Sequence, residues 1–317
     1  MLLCCMKTTK DVFTDYRYGL IKLYDANESE AITLMAVSEI CNLSNAKIKA
    51  FPELELSNQH AEKLAGTLIQ LKTGKPIQYI LGKTEFYGLP FYVNPSVLIP
   101  RPETEELVQW VISSVGSDQW AVDGRQLAVG SGQLAGNILD IGTGSGCIAI
   151  SLKKNLSQFS VTGIDISETA LQTAKENAEL NNVDVEFIKA DILSPQTPFT
   201  LHLAPCTSDH ALLTTHYSLI VSNPPYVTLM DKEQMHSNVT DFEPHSALFV
   251  PEDDPLIFYK AIADFATTNL VENGLLFFEL NEGYANETMK LLADRGFKNI
   301  ELRKDMSGRD RMVKAIK

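Results

Sequence analysis

Residues 223 to 226 read Asn-Pro-Pro-Tyr and directly follow the apolar run 217–222. Proline has no backbone N–H and holds the residue before it extended, so this backbone is stiff and its carbonyls have few local donors. The Asn223 side-chain oxygen and the Pro224 carbonyl could together accept both hydrogens of an –NH2 group, and Tyr226 could stack on its flat face. The tetrapeptide, with Pro225, is a candidate receptor for a planar amide or amine. An ordinary turn after a strand is the competing interpretation.

A glycine-rich loop is the second candidate site. Residues 140 to 146 read Asp-Ile-Gly-Thr-Gly-Ser-Gly and lie between a predicted strand and a predicted helix. Glycines let a ligand approach the backbone, and a helix start offers free N–H groups, so nucleotide-like cofactors bind at such turns. A dinucleotide fingerprint needs G-x-G-x-x-G, whereas these glycines follow G-x-G-x-G and residue 147 is cysteine. A dehydrogenase is therefore disfavoured.

The elements that must position these residues alternate between strand-like and helix-like periodicity, which predicts a doubly wound, mostly parallel α/β sheet. The predicted strands are 138–141, 160–164, 185–188, 217–222 and 275–280, and the predicted helices are 147–156, 168–180 and 256–270. The tail 297–317 predicts two further strands around Ser307-Gly308, giving an antiparallel edge. In such a sheet both candidate segments follow strand ends and share one crevice.

The first third of the chain has a different pattern. Helical spacing over residues 11–75 predicts a small helical domain, in which Ser57 precedes a helix over 59–72. Two β-rich runs, 85–87 and 91–93, flank Gly88-Leu89-Pro90 and predict a hairpin linker. A further helix is expected to start near Glu103, and segments 114–136 and 195–215 are predicted to be surface insertions.

Composition limits the function classes. A chain of 317 residues with 44% hydrophobic content can form one large α/β domain with a smaller one, and its net charge of −13 argues against binding a phosphate backbone. The five cysteines form no C-x-x-C pair and the six histidines are scattered, so neither a disulfide framework nor a metal site is predicted. No stretch is long enough to span a bilayer. We expect a cytoplasmic monomer with no direct nucleic-acid partner and no membrane partner.

The glycine loop resembles that of class I methyltransferases, which bind S-adenosylmethionine. The resemblance implies that the loop lies against the methionine portion of the cofactor, with Asp140 orienting the loop and facing the ammonium group. It also implies that Asp165 holds the ribose hydroxyls, while Asp191 and Ile192 border the adenine. An N-cap for the next helix is the alternative role for Asp165. The implied cofactor-binding residues are Asp140, Gly142, Thr143, Gly144, Ser145, Gly146, Asp165, Asp191, Ile192 and Asn223.

Asn-Pro-Pro-Tyr together with this loop resembles two families: adenine-amine methyltransferases of nucleic acids and glutamine methyltransferases of peptide chain release factors. The sequence of the linker and of the segment after the tetrapeptide favours the release factor family. Its similar stretches are Gly-Lys-Pro-Ile-Gln-Tyr-Ile-Leu-Gly at 74–82, Glu-Phe-Tyr-Gly at 85–88, Val-Leu-Ile-Pro-Arg-Pro-Glu-Thr-Glu at 97–105, Phe-Glu-Pro at 242–244 and Ala-Leu at 247–248. The resemblance implies an N-terminal helical substrate-recognition domain (1–82), a β-hairpin linker (83–102) and a seven-stranded S-adenosylmethionine-dependent methyltransferase domain (103–317).

The implied activity is methylation of the side-chain amide nitrogen of glutamine in the Gly-Gly-Gln motif of class I release factors. Three alternatives stay open: a ribosomal-protein glutamine methyltransferase, an adenine-amine nucleic-acid methyltransferase, and a non-catalytic cofactor-binding module. A nucleic-acid methyltransferase should carry a basic groove, and a non-catalytic module would not need Asn223. Seven acidic residues and one lysine lie between Asp231 and Asp254. They are either a solvated face or a surface that attracts a basic partner.

Overall fold

The computed structural model describes residues 6–115, 121–122, 125–126, 136–194, 216–233 and 235–317. The chain forms two compact units, residues 1–83 with 236–242, and residues 84–235 with 243–317. The predicted insertion at 195–215 lies outside the described residues, as does most of the one at 114–136. The three-part division at 82 and 102 stays a prediction. In the described residues, no helix combines the length and hydropathy that a membrane span requires.

The first unit is helical, as the sequence predicts. Its buried core joins apolar side chains from successive helices, among them Tyr16, Val37, Leu64 and Ile77. Ser57 caps the N-terminus of a helix by accepting a hydrogen bond from His60 N, so this helix begins where the sequence places it. The helices of the whole chain in the described ranges are α1 (Thr9–Leu20), α2 (Ala26–Cys41), α3 (Asn45–Ala50), α4 (Asn58–Leu71), α5 (Ile77–Leu81), α6 (Pro102–Val115), α7 (Cys147–Asn155), α8 (Glu168–Asn181), α9 (Leu229–Lys232), α10 (Ser237–Phe242), α11 (Ile257–Asn269) and α12 (Ala285–Asp294).

The second unit is built on a seven-stranded sheet with the strand order β10-β11-β9-β8-β5-β6-β7. The strands in the described ranges are β1 (Lys83–Phe86), β2 (Leu89–Tyr92), β3 (Ala121–Val122), β4 (Arg125–Gln126), β5 (Asn137–Ile141), β6 (Ser160–Asp165), β7 (Glu186–Lys189), β8 (Tyr217–Ser222), β9 (Leu270–Glu279), β10 (Lys298–Lys304) and β11 (Asp310–Ile316). Strands β5 to β9 pair in parallel, and β11 runs antiparallel to both β9 and β10. The predicted doubly wound sheet with an antiparallel edge is confirmed.

Alternate residues of the central strands enter two separate cores, one on each face of the sheet. In β8, for example, Leu219 and Val221 belong to one core and Ile220 to the other. The first core is completed by α6 and α7, and the second by α11 and α12. Because both faces are covered, β8 is buried at all six positions and β5 at four of its five, which explains their continuous runs of apolar residues.

Two predicted boundaries are wrong. The hairpin turns at Tyr87-Gly88, where φ is 51° and 70°, and not at 88–90, so its strands start two residues earlier than predicted. A two-residue turn needs left-handed backbone at both positions, and Tyr87 is held there because its N–H donates to Glu105 Oε1 at 2.8 Å. Strand β9 starts at Leu270 and not at 275, since Leu270 already pairs with Tyr217 before a register shift.

Candidate active site

The two candidate segments leave the sheet side by side. Strands β5 and β8 are parallel neighbours in which Ile141 pairs with Ser222, so the glycine loop and Asn223 follow adjacent strand ends. The Ser222 hydroxyl donates a hydrogen bond of 2.6 Å to the Ile141 carbonyl and ties the two ends together. Both segments line one cavity of about 380 Å³. This is the shared crevice that the strand order predicts.

Most of the predicted site residues line this cavity. They are Gly142, Thr143, Gly144, Ser145, Asp165, Asp191, Ile192, Asn223, Pro224 and Pro225. Asp140, Gly146 and Tyr226 are not among its lining residues. The cavity therefore contacts the glycine loop, the ends of β6 and β7, and the first three residues of the tetrapeptide.

The glycine loop has a backbone that only glycine adopts without strain at three positions. Gly142, Gly144 and Gly146 have φ of 74°, 54° and 79°. The N–H groups of Gly142 and Thr143 both donate to the Ile164 carbonyl at 2.9 Å, which anchors the loop to the end of β6. Inside the loop, Asp140 Oδ2 accepts the Thr143 hydroxyl at 2.6 Å and the Ala149 N–H at 3.3 Å. Asp140 thus bonds both the loop and the first turn of α7, and its predicted role in orienting the loop stays a prediction.

Two of these glycines differ in what surrounds them, which gives a matched test. A Cβ on Gly142 would meet nothing within 4 Å, whereas one on Gly146 would lie 3.0 Å from Ile150 Cδ1 and 3.1 Å from Ala174 Cβ. We expect Gly142→Ala to cost about 1–2 kcal/mol of unfolding free energy from backbone strain. Gly146→Ala should cost about 1–3 kcal/mol more through overpacking. Denaturant unfolding without ligand measures both; equal losses would show that packing under α7 is loose.

Asp165 lies at the end of β6 and faces the cavity. Its Oδ2 accepts the Gly144 N–H at 2.9 Å, and its Oδ1 accepts the Ser167 N–H at 2.8 Å. The N-cap of α8 is Ser167, whose side chain accepts from Ala170 N, so the alternative role of Asp165 as that cap is wrong. Burial raises the pKa of the Asp165 carboxyl, and the Ser167 and Gly144 N–H groups oppose this effect. The carboxylate is held in place by backbone donors beside open cavity space.

Asp140 is fully buried, and within the described residues its Oδ1 has no hydrogen-bond partner. Burial raises the pKa of this carboxyl to about 7, against the effect of the Thr143 and Ala149 donors. A role facing a cofactor ammonium group stays a prediction, because Asp140 does not line the cavity.

This raised pKa predicts a pH dependence of stability. The unfolded carboxyl ionises near pH 3.9, whereas the folded one keeps its proton to about pH 7, so the folded state binds more protons in between. Without ligand, the free energy of unfolding should therefore fall as pH rises from about 4 to about 7. Asp140→Asn should show a shallower fall. Urea unfolding across this range measures both slopes, and identical slopes would contradict the assignment.

Asn223 is held by a buried chain of polar side chains. Its Nδ2 donates to Thr104 Oγ1 at 3.1 Å, and the Thr104 hydroxyl donates to Glu279 Oε2 at 2.6 Å. Tyr226 donates its hydroxyl to the other oxygen, Glu279 Oε1, at 3.0 Å. The amide nitrogen of Asn223 is therefore hydrogen-bonded within the protein. The contact with Glu279 involves the Tyr226 hydroxyl and not the face of its ring, so the stacking of this ring on an acceptor amide stays a prediction.

Glu279 lies in no motif that the sequence analysis names. Thr104 and the pair Arg101–Glu243 lie in stretches that carry the family resemblance, but the resemblance assigns no role to them there. Glu243, whose side chain is 1% exposed, forms an ion pair with Arg101, and its Oε2 also accepts the Ile99 N–H at 3.2 Å. Seven acidic residues between 231 and 254 were considered as an exposed acidic surface. Glu243 is one of them, and because it is buried and paired it does not belong to such a surface. The partners lie more than 100 residues apart in sequence, so no local spacing could reveal them.

The fold and this site define an α/β protein with a cavity at the carboxyl ends of its parallel strands, and comparison with known proteins makes the class specific. The family profile described as "Methyltransferase small domain" matches residues 126–241. A release factor glutamine methyltransferase of Flavobacterium psychrophilum is 45% identical over 96% of this chain and 98% of its own length. One from Bacteroides thetaiotaomicron is 37% identical over 94% of this chain and 96% of its own.

The chain belongs to the release factor glutamine methyltransferase family. The resemblance drawn from the linker and the tetrapeptide is confirmed, and so is the prediction of a protein-glutamine methyltransferase enzyme. The adenine-amine and ribosomal-protein alternatives are not favoured by these relatives.

Proposed function

We propose that this protein transfers a methyl group from S-adenosylmethionine to the side-chain amide nitrogen of the glutamine in the Gly-Gly-Gln motif of class I peptide chain release factors. One observation carries the proposal. The Asn223-Pro224-Pro225 segment and the Asp165 carboxylate, with the glycine loop, line a single cavity. An amide receptor and a cofactor-type site thus share one space.

The residues of this cavity fit S-adenosylmethionine. A Cβ added to Gly142 or Gly144 would point into open space, so the loop leaves room for a ligand against its backbone. Asp165 is a carboxylate that can accept two ribose hydroxyls, and Ile192 gives an apolar surface for a ring beside Asp191. When bound, S-adenosylmethionine supplies an electrophilic methyl group on a sulfonium sulfur.

The acceptor amide would be held by the tetrapeptide. Asn223 Oδ1 and the Pro224 carbonyl are acceptors, and a primary amide offers two N–H donors to them. An amide nitrogen is a poor nucleophile because its lone pair is delocalised into the carbonyl. Accepting both hydrogens orients this lone pair and enriches its electron density. Holding the nitrogen about 3–3.5 Å from the reacting carbon can lower the barrier by roughly 7–11 kcal/mol.

The proposed acceptor also indicates the partners, the location and the oligomeric state of the protein. The acceptor is a protein, so direct nucleic-acid contact and a membrane partner are not needed, and a cytoplasmic monomer suffices. Release factors are the partners that the family name indicates, and we propose those of class I. Their role in translation termination makes the glutamine methylation relevant to that process.

A panel of acceptors tests the proposal. The protein is incubated with labelled S-adenosylmethionine and, separately, a class I release factor, total ribosomal protein, or adenine-containing DNA. We expect label only in the release factor, and no label in a release factor whose motif glutamine is replaced by alanine. Label in ribosomal protein or DNA at a comparable rate would refute the substrate assignment.

A further inference from the structure

A buried chain of hydrogen bonds connects the side-chain amide of Asn223 to the carboxyl group of Glu279. Asn223 Nδ2 lies 3.1 Å from Thr104 Oγ1, and Thr104 Oγ1 lies 2.6 Å from Glu279 Oε2. Thr104 and Glu279 are 2% and 1% exposed. Thr104 comes from the first turn of α6 and Glu279 from the end of β9, so the hydrogen bonds link both of these elements to the tetrapeptide.

Counting hydrogens along this chain fixes how the Asn223 amide is oriented. A threonine hydroxyl has one hydrogen, and an ionised carboxylate only accepts. Thr104 must therefore give its hydrogen to Glu279 and can only accept on its other side. The end of the Asn223 amide that faces Thr104 must then be the –NH2 group, which leaves Oδ1 on the opposite edge of the amide.

A neutral Glu279 would allow the reverse arrangement. With a proton on Oε2, Glu279 could donate to Thr104, and the Thr104 hydrogen would then be free to bond Asn223 Oδ1. The Asn223 –NH2 group would point the other way, where it would oppose the N–H groups of an incoming amide. The charge of Glu279 thus sets which polar atom Asn223 presents.

Several groups around Glu279 act on its charge. Burial is the largest effect and raises the pKa of Glu279, and the nearby Glu103 adds to this rise. The Thr104 and Tyr226 hydroxyls, which donate to its two oxygens, and the Arg311 guanidinium oppose the rise. Tyr259, whose hydroxyl donates to the Glu279 backbone carbonyl, and the buried Cys147 thiol are further titratable neighbours. Thr104, Tyr226 and Arg311 thus favour the ionised form of Glu279, which burial disfavours.

We propose that Thr104 and Glu279 are positioning residues that orient the Asn223 amide so that its oxygen, and not its nitrogen, is presented to the acceptor. This inference rests on the proposed function for the identity of the acceptor. Thr104 also lines the cavity, whereas Glu279 does not, and we assign both residues an effect that passes through Asn223.

A pair of substitutions at one position tests this inference. Thr104→Ser keeps the hydroxyl and loses a methyl, while Thr104→Val keeps the shape and loses the hydroxyl. We expect Thr104→Val to lower kcat by about 10–100-fold, with the Kd for S-adenosylmethionine changed less than threefold. Thr104→Ser should keep at least a third of wild-type kcat. If Thr104 acted only by packing, valine would be the better replacement and serine the worse, which would overturn the inference.

A double-mutant cycle with Asn223→Ala provides the second test. If Thr104 acts through Asn223, adding Thr104→Val to Asn223→Ala should change kcat less than twofold. A full, independent loss in the double variant would contradict the inference. Thr104→Ala removes the same hydroxyl and replaces Thr104→Val in the cycle should the valine protein not fold.

A readout without any acceptor separates this inference from the proposed function. The side-chain ¹⁵N–H resonances of Asn223, assigned by their loss in Asn223→Ala, should shift in Thr104→Val and stay near the wild-type position in Thr104→Ser. Failure of the wild-type protein to methylate a release factor would refute the proposed function alone. Unchanged Asn223 resonances in Thr104→Val would refute the positioning role alone.

Discussion

Asn223→Ala is expected to lower kcat on the release factor by about 10²–10³-fold, the loss typical of removing one preorganised polar contact at a reacting centre. The physical reason is that alanine has no oxygen to accept the acceptor's N–H. Affinity for S-adenosylmethionine should change little, because the contacts that we propose for that ligand come mainly from the loop and Asp165, which follow other strands. Single-turnover kinetics and calorimetric titration measure the two quantities separately.

Asn286→Ala is the matched control for this prediction. Asn286 is exposed on α12, so the same substitution there removes an amide that does not line the cavity. Its kcat should equal that of the wild-type protein. A kcat within threefold of wild type for Asn223→Ala would contradict the role assigned to the tetrapeptide.

Asp165→Ala is expected to raise the Kd for S-adenosylmethionine by about 10²–10⁴-fold. Two charge-assisted hydrogen bonds to ribose hydroxyls contribute about 1.5–3 kcal/mol each, and 1.4 kcal/mol is a factor of ten in affinity. The substitution also removes the acceptor of the Gly144 N–H, which loosens the glycine loop. Asp165→Asn should lose less, since an amide oxygen can still accept one of these bonds.

Asp294→Ala provides the control, because Asp294 is an exposed acid at the end of α12. Isothermal titration with S-adenosylmethionine should give the wild-type Kd for this variant. A Kd for Asp165→Ala within threefold of wild type would show that the ribose is held elsewhere.

The parts of the site that could be predicted from sequence are those set by strand order. A strand end followed by glycines, a strand end followed by aspartate, and a strand end followed by Asn-Pro-Pro must meet at one edge of a parallel sheet. Strands β5, β6 and β8 lie close to their predicted bounds, so the positions of these strand ends follow from the local amino-acid sequence.

The parts that could not be predicted depend on tertiary contacts. Thr104 and Glu279 are 175 residues apart, and their hydrogen bond exists only because α6 and β9 pack together. Tyr87 adopts left-handed backbone because Glu105 accepts its N–H, which overrides the residue preference for Gly88-Leu89-Pro90 as the turn. In both cases a long-range partner decides a local conformation.

Peptide mass spectrometry of the treated release factor locates each transferred methyl group. The purified release factor is treated with this protein and S-adenosylmethionine, digested, and each methyl group is assigned to an atom by fragmentation. We expect one methyl group, on the side-chain nitrogen of the Gly-Gly-Gln glutamine. A methyl group on any other residue, or none on this glutamine after complete reaction, would contradict the proposed function.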